Sequence, residues 1–347
     1  MGTETAVNTP YVPYEEAIAI GRLNTAYAQS RILNSAVETG LFELLAEAPA
    51  DSAAIAERLG LNHRLVPDFL RALVALGLLE ETAGTFRNSA SAAACLLPGS
   101  PYYLGGSVRA AAARHYGMWA RLTEALRDGE PKAEGATGPD AFERLYQNRD
   151  AARRFLAHMD SAHALVGPQL AEVVDWSRYG SFVDVGGARG HIAAAVVAAH
   201  PHLRGGVFEL PAVEPLFDEH MAELGTAEQI SFHGGDFFED ALPEADVLVF
   251  GHVLHDWTPE RRAFLLERAF AALRPGGAVV VYDQMLDDGT PELGSLLGSL
   301  QVALVTGGSE YGVDEGRELL EKAGFTVERG QRIRTIGSDY VLVGVKP

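Results

Sequence analysis

Cysteine is nearly absent: Cys95 is the only one in 347 residues. An intrachain disulfide framework and a cysteine-built zinc site are thereby excluded, and the expected compartment is the reducing cytoplasm. Basic residues are scarce too. Lys and Arg total 28 against 47 Asp and Glu, for a net charge of −19. A chain this acidic repels phosphate backbones and anionic lipid, so nucleic acid and membrane surfaces are not expected partners. No run of ~18 apolar residues is present to span a bilayer. The opening MGTETAVNTPYVPYEE has neither the basic start nor the apolar run of a signal peptide. Apolar residues are plentiful, at 47%, enough to bury a sizeable core. At ~150 residues per domain, the length predicts two to three domains.

The first 14 residues read as a lead-in. From Glu15 a helical pattern sets in, with Ile32, Ala36 and Gly40 and with Leu33, Val37 and Leu41 at four-residue spacing. Ile18, Leu23 and Tyr27 extend this apolar face, which needs cover from later helices or from a second copy of the chain. Asp51 and Ser52 can cap a helix stopped by Gly60, and Asn62 a second one stopped by Gly77. A strand pair around Gly84 follows, completing a winged-helix outline. Its second helix carries His63, Arg64 and Arg71 but also Asp68, with no basic stripe, so the module reads as dimer-forming rather than DNA-binding. Residues 101–178 read as helical. From 179 short β-rich runs alternate with helices, which predicts an α/β domain: a Rossmann-like, mostly parallel sheet closed by a C-terminal antiparallel hairpin. The expected domains are thus 1–100, 101–178 and 179–347.

The chemistry concentrates at predicted strand ends. FVDVGGARG at 182–190 is a strand entering a glycine turn that opens a helix. Such a turn lets backbone pass close to a dinucleotide or a nucleoside, or simply pack tightly. Glu209 ends the next strand, where a carboxylate can take both ribose hydroxyls, which favours a nucleoside cofactor. Asp184 disfavours pyrophosphate at the helix N-terminus and suits an ammonium beside a sulfonium. Asp236 and Phe237 follow a third strand, where an acid and an aromatic ring can meet an adenine. GHVLHDW at 251–257 follows a fourth, on the rim where open parallel sheets bind ligands. No His/carboxylate cluster at metal-ligand spacing is visible in the sequence.

FVDVGGARG, GGDFFEDALPEADV, HVLHDWTPE, LRPGGAVVVYDQML and TGGSE, in this order, resemble the S-adenosylmethionine-dependent small-molecule O-methyltransferases, the plant caffeic-acid type and its bacterial natural-product relatives. The likeness covers nearly the whole chain, the N-terminal dimerisation module included. It implies a homodimer that methylates a phenolic hydroxyl of an aromatic, polyketide-like small molecule. Asp184, Gly186, Gly187, Gly190 and Gly251 would line the cofactor, Glu209 and Leu210 would hold the ribose, and Asp236 and Phe237 would face the adenine. His255 would be the general base, with Asp283 and Glu310 orienting its ring. Trp119, Met159, Trp257 and Ser299 would border the acceptor. No metal is implied.

The residues agree with that chemistry. Methyl transfer from a sulfonium is an in-line displacement at carbon by a nucleophile close to a phenolate. A histidine near pKa ~6.5 can take the phenolic proton as charge develops, and a carboxylate behind the ring stabilises the imidazolium. The sequence departs from the family pattern at Ala188, usually a third glycine, at Gly251, commonly lysine, and at Ser299, often an aspartate. The alternatives are C- or N-methylation or cofactor-assisted hydroxylation on the same fold, and, in a different class, a ligand-sensing winged-helix regulator.

Overall fold

The computed structural model describes residues 13–133, 141–287, 289 and 292–347. Most of the expected lead-in lies outside them. The chain forms two compact units, Met1–Leu97 and Pro98–Pro347.

The first unit begins with one long helix, Tyr14–Glu38. Its N-terminal half exposes Tyr14, Ile18, Ile20, Leu23 and Tyr27 within this chain, while Ala36 and Val37 near its end are buried. Asp51 caps the Ser52–Leu59 helix by accepting from the Ala54 amide at 2.9 Å, and Gly60 ends it in the left-handed conformation. Asn62 does not cap the next helix. It holds the preceding turn through the Arg64 amide, and the helix starts at Val66, with Pro67 in its first turn, where its missing N–H costs nothing. Strand β1 (Ala50–Asp51) pairs with β3 (Thr85–Asn88), which also pairs with β2 (Leu79–Thr82). This is the winged-helix outline with one short strand added.

The second unit is built on a seven-stranded sheet. Its strands are β4 (Ser181–Val185), β5 (Arg204–Glu209), β6 (Ile230–Gly234), β7 (Val247–Gly251), β8 (Ala278–Asp283), β9 (Thr326–Arg332) and β10 (Tyr340–Val345). The order is β6-β5-β4-β7-β8-β10-β9, with β10 antiparallel to both neighbours and the other pairings parallel. The inner strands are apolar on both faces, as strands between two helical layers must be: VLVFG of β7 and AVVVYD of β8 are buried throughout. Strand order reverses between β4 and β7. In an open α/β sheet this opens a crevice beyond the carboxyl ends of the strands, and the glycine turn and the GHVLHDW segment both emerge there. Among the described residues no helix is long and apolar enough to cross a membrane.

Candidate active site

The glycine turn starts beside β7, because Val185 pairs with Phe250 and places Gly186 next to Gly251. Gly186 takes a left-handed φ of +72°, and a Cβ there would come within 2.8 Å of Val253. A Cβ on Gly187 would lie 2.7 Å from the Asp184 carboxylate. Both positions therefore require glycine. Gly190, at φ +84°, faces Phe217 and Met221 behind the turn. Ala188 carries its methyl in the left-handed region at φ +52°.

A small cavity lies against this turn. Asp184, Gly186, Gly187, Ala188, Gly251, Met159, His163 and Tyr282 are among its walls. Glu209 stands just behind the turn, accepting from the Leu210 amide at 2.8 Å and the Ala188 amide at 3.2 Å. Burial pushes Glu209 up to about 7 despite those two amides. Burial and the neighbouring Glu209 likewise push Asp184 up to about 7. Two buried acids in this state fit a ligand that brings a cation to one and hydroxyl donors to the other. That is the donor set of S-adenosylmethionine, an ammonium and a sulfonium beside a ribose. Gly251 answers a different need: the Tyr282 ring fills the space that a Cβ at 251 would take.

Phe237 approaches the turn from β6, 3.6 Å from where a Gly186 Cβ would lie, and its ring packs edge-on against Trp257 and Phe238. Asp236 forms a turn, its Oδ1 accepting from the Phe238 amide at 2.8 Å. Trp257 is thus packed in an aromatic cluster with Arg261 over its face, rather than lining the cavity.

Beyond β7 the chain turns sharply, with His252 at a left-handed φ of +52°, and enters a single 3₁₀ turn, Leu254–Asp256. His255 is buried there, its Nδ1 2.6 Å from Glu310 Oε1 and 3.4 Å from Asp283 Oδ1. Tyr311 donates to the other Asp283 oxygen at 2.7 Å. Burial alone would lower the His255 pKa, but Glu310 and Asp283 outweigh it and raise it to about 10. This corrects the ordinary histidine value expected from the sequence: two carboxylates share one imidazolium. Burial, opposed in part by His255, pushes Asp283 up to about 7. His255 does not itself line the cavity. Its ring is 5.3 Å from that of His252, and His252 contacts His163, which does.

Ser299 turns toward the loop that carries Glu310, its Oγ accepting from the Glu310 amide at 3.3 Å. Trp119 Nε1 donates to Gln301 Oε1 at 2.6 Å, tying a helix of the 101–178 region to Leu293–Val305. The sequence reading missed His163 and Asp339 as site residues. The four-residue spacing of Met159 and His163 on the Arg149–His163 helix was a usable signal, since it puts both on one face. No His/carboxylate cluster is marked by spacing in the sequence. Folding assembles two, His255/Asp283/Glu310 and Asp160/His191/His220, with donor atoms within 4.8 Å of one another. They come from distant segments, so sequence spacing could not reveal them. In the first the imidazolium already stands between the carboxylates, and in the second Arg189 pairs with Asp160.

A switch-point crevice with a glycine turn, paired buried acids and a histidine–carboxylate cluster defines an S-adenosylmethionine-dependent methyltransferase. The O-methyltransferase domain model matches residues 119–326 and the O-methyltransferase dimerisation domain model residues 22–98. The chain belongs to this O-methyltransferase family. It is 46% identical over 341 residues to the N,N-dimethyltransferase OxyT of Streptomyces rimosus, covering 98% of this chain and 99% of that one. It is also 46% identical over 342 residues to the tetracenomycin polyketide synthesis 8-O-methyl transferase TcmO of Streptomyces glaucescens, with the same coverage. Among solved structures, human N-acetylserotonin methyltransferase in complex with SAM superposes with a TM-score of 0.87 at 28% identity, over 100% of this chain and 99% of that one.

Proposed function

We propose that the protein transfers the methyl group of S-adenosylmethionine to a phenolic hydroxyl of an aromatic, polyketide-like natural product, with His255 as the general base. The observation that carries this reading is the 2.6 Å contact between His255 Nδ1 and Glu310 Oε1 in the turn just past β7. With Nδ1 held by Glu310, Nε2 is the nitrogen left to take a proton. At about 10, the His255 pKa matches that of a free phenol, ~10, so proton transfer is close to thermoneutral. The carboxylates of Glu310 and Asp283 then stabilise the imidazolium and fix its orientation.

The bound cofactor supplies an electrophilic methyl group. Gly186, Gly187 and Gly190 shape its loop, with Gly251 beside them. Asp184 takes the ammonium, Glu209 and Leu210 hold the ribose, and Asp236 and Phe237 meet the adenine. Trp119, Met159, Trp257 and Ser299, with the 101–178 region, border the acceptor and keep water out. Alignment of the acceptor oxygen in a dry pocket contributes most of the acceleration. A homodimer covers the apolar face of the Tyr14–Glu38 helix.

N-methylation is the second reading, favoured by the equal identity to OxyT. Incubation with methyl-labelled cofactor and a panel of polyhydroxylated aromatic and aminated acceptors, followed by fragmentation of the product, decides between them. Label on a phenolic oxygen supports the proposal. Label on nitrogen or carbon, or hydroxylation without label, replaces it.

A further inference from the structure

Behind the cavity runs a second imidazole–carboxylate chain that the proposed proton transfer does not use. His163 ends the Arg149–His163 helix, His252 follows β7, and Asp339 immediately precedes β10. His163 Nε2 lies 3.1 Å from His252 Nδ1, and His252 Nε2 lies 2.6 Å from Asp339 Oδ1. Thr335 Oγ1 donates to the second Asp339 oxygen. His163 and Asp339 are buried, and the left-handed backbone of His252, unfavourable for any residue with a Cβ, aims its ring between them.

The protons in this chain can be assigned. Burial alone would raise Asp339, but the charge and hydrogen bond of His252 hold it at about 2. Burial alone would lower His252, and Asp339 raises it instead. His252 is therefore an imidazolium, and both of its nitrogens donate, Nε2–H to Asp339 and Nδ1–H to His163 Nε2. Burial, and then the charge on His252, hold His163 well below the usual histidine range, so it is neutral. A neutral ring that accepts at Nε2 carries its proton on Nδ1. Among the described residues nothing is hydrogen-bonded to that Nδ1, and His163 borders the cavity with Asp184, Gly187 and Tyr282. Three nearby donors are engaged, while the Gly187 amide and the Tyr282 hydroxyl border the same cavity. The Gly186 amide bonds Phe208 O, the Ala188 amide bonds Glu209, and Arg189 is paired with Asp160.

We infer that His163 is an anion-recognition residue: its Nδ1–H binds the α-carboxylate at the amino-acid end of the methyl donor, while Asp184 takes the ammonium. His252 and Asp339 are positioning residues that fix the tautomer. The inference rests on the cofactor site proposed above and adds a second, oppositely directed contact to it.

The test is calorimetric binding of two ligands that differ only in the carboxylate, S-adenosylmethionine and decarboxylated S-adenosylmethionine. In His163→Leu, affinity for the first falls about tenfold or more, while affinity for the second stays within about twofold. His163→Asn, whose amide nitrogen reaches the level of Nδ1, keeps the discrimination. His163→Gln, whose amide sits at the level of Nε2, loses it and stands in for the leucine variant if that chain does not fold. Equal losses for both ligands would reduce His163 to a structural role, and no loss for either would remove it from recognition; either result overturns the inference. Glu209→Gln separates the underlying site from this contact. If it weakens neither ligand, the cofactor site lies elsewhere and the inference goes with it.

Discussion

His255 and Glu310 are 55 residues apart in the chain, yet their Nδ1 and Oε1 atoms are 2.6 Å apart and buried. The turn after β7 supplies one and the loop after the Leu293–Val305 helix supplies the other. Asp283, ending β8, completes the cluster at 3.4 Å. Two carboxylates around one imidazole make it a much stronger base than a solvent-exposed histidine.

Replacing His255 with alanine removes the proposed proton acceptor and leaves the glycine turn intact. Turnover should fall by about 100-fold or more with cofactor affinity unchanged. Steady-state kinetics and calorimetry on the same preparation check both halves, and unchanged turnover would assign the proton to another group or to none.

The raised His255 pKa sets the direction of the pH profile. A base that is protonated below about 10 is active only in its minor, deprotonated form at neutral pH. The kcat/KM should therefore climb about tenfold per pH unit from 7 towards 9. Glu310→Gln removes the nearer carboxylate and should move the inflection down by about 1 unit or more; Asp283→Asn, at the longer distance, should move it less. The reverse ranking, or a wild-type profile flat across this range, contradicts the assigned geometry.

The same pair makes a stability claim with a defined sign. A folded-state pKa raised from 6.5 to about 10 contributes stability that is full below about 6.5 and is lost as pH rises through about 10. Denaturant unfolding should show a smaller loss of stability between pH 7 and 10 in His255→Asn than in the parent chain. Equal losses would mean that other groups carry the dependence.

Gly251 and Tyr282 should be energetically coupled, because the ring occupies the position of a Cβ at 251. Gly251→Ala should cost about 1–3 kcal/mol by overpacking. Combined with Tyr282→Val, it should cost less than the sum of the two single changes by about 1 kcal/mol or more. Additive losses in a double-mutant cycle would show that the two positions do not compete for space.

The exposed face of the Tyr14–Glu38 helix should lie in a subunit interface. Leu23→Glu together with Tyr27→Glu places charge where apolar cover is expected and should shift the species seen by light scattering from dimer to monomer. A parent chain that is already monomeric would remove the homodimer from the account.

Legibility in the sequence followed locality. The glycine turn, Glu209 and the antiparallel end of the sheet were readable because each is a strand, a turn and a few flanking residues. The winged-helix outline was readable from caps and stops at Asp51, Gly60 and Gly77, and only β1 escaped, being two residues long. Contacts across long separations were not readable. His252 meets His163 across 89 positions and Asp339 across 87, and no period or spacing marks such a chain. The sequence also held no sign that Ser299 holds the Glu310 amide or that Trp257 packs on Phe237 and Phe238. The His255 pKa was misjudged for a related reason: the ordinary value describes a ring in water, and the shift belongs to neighbours contributed by other strands.

The most direct measurement is a structure of the protein with S-adenosylhomocysteine and a phenolic acceptor bound together. The account predicts the acceptor hydroxyl within about 3 Å of His255 Nε2 and aimed at the cofactor sulfur beside Gly186 and Gly187. An acceptor oxygen held away from His255, or a cofactor bound away from that turn, contradicts it.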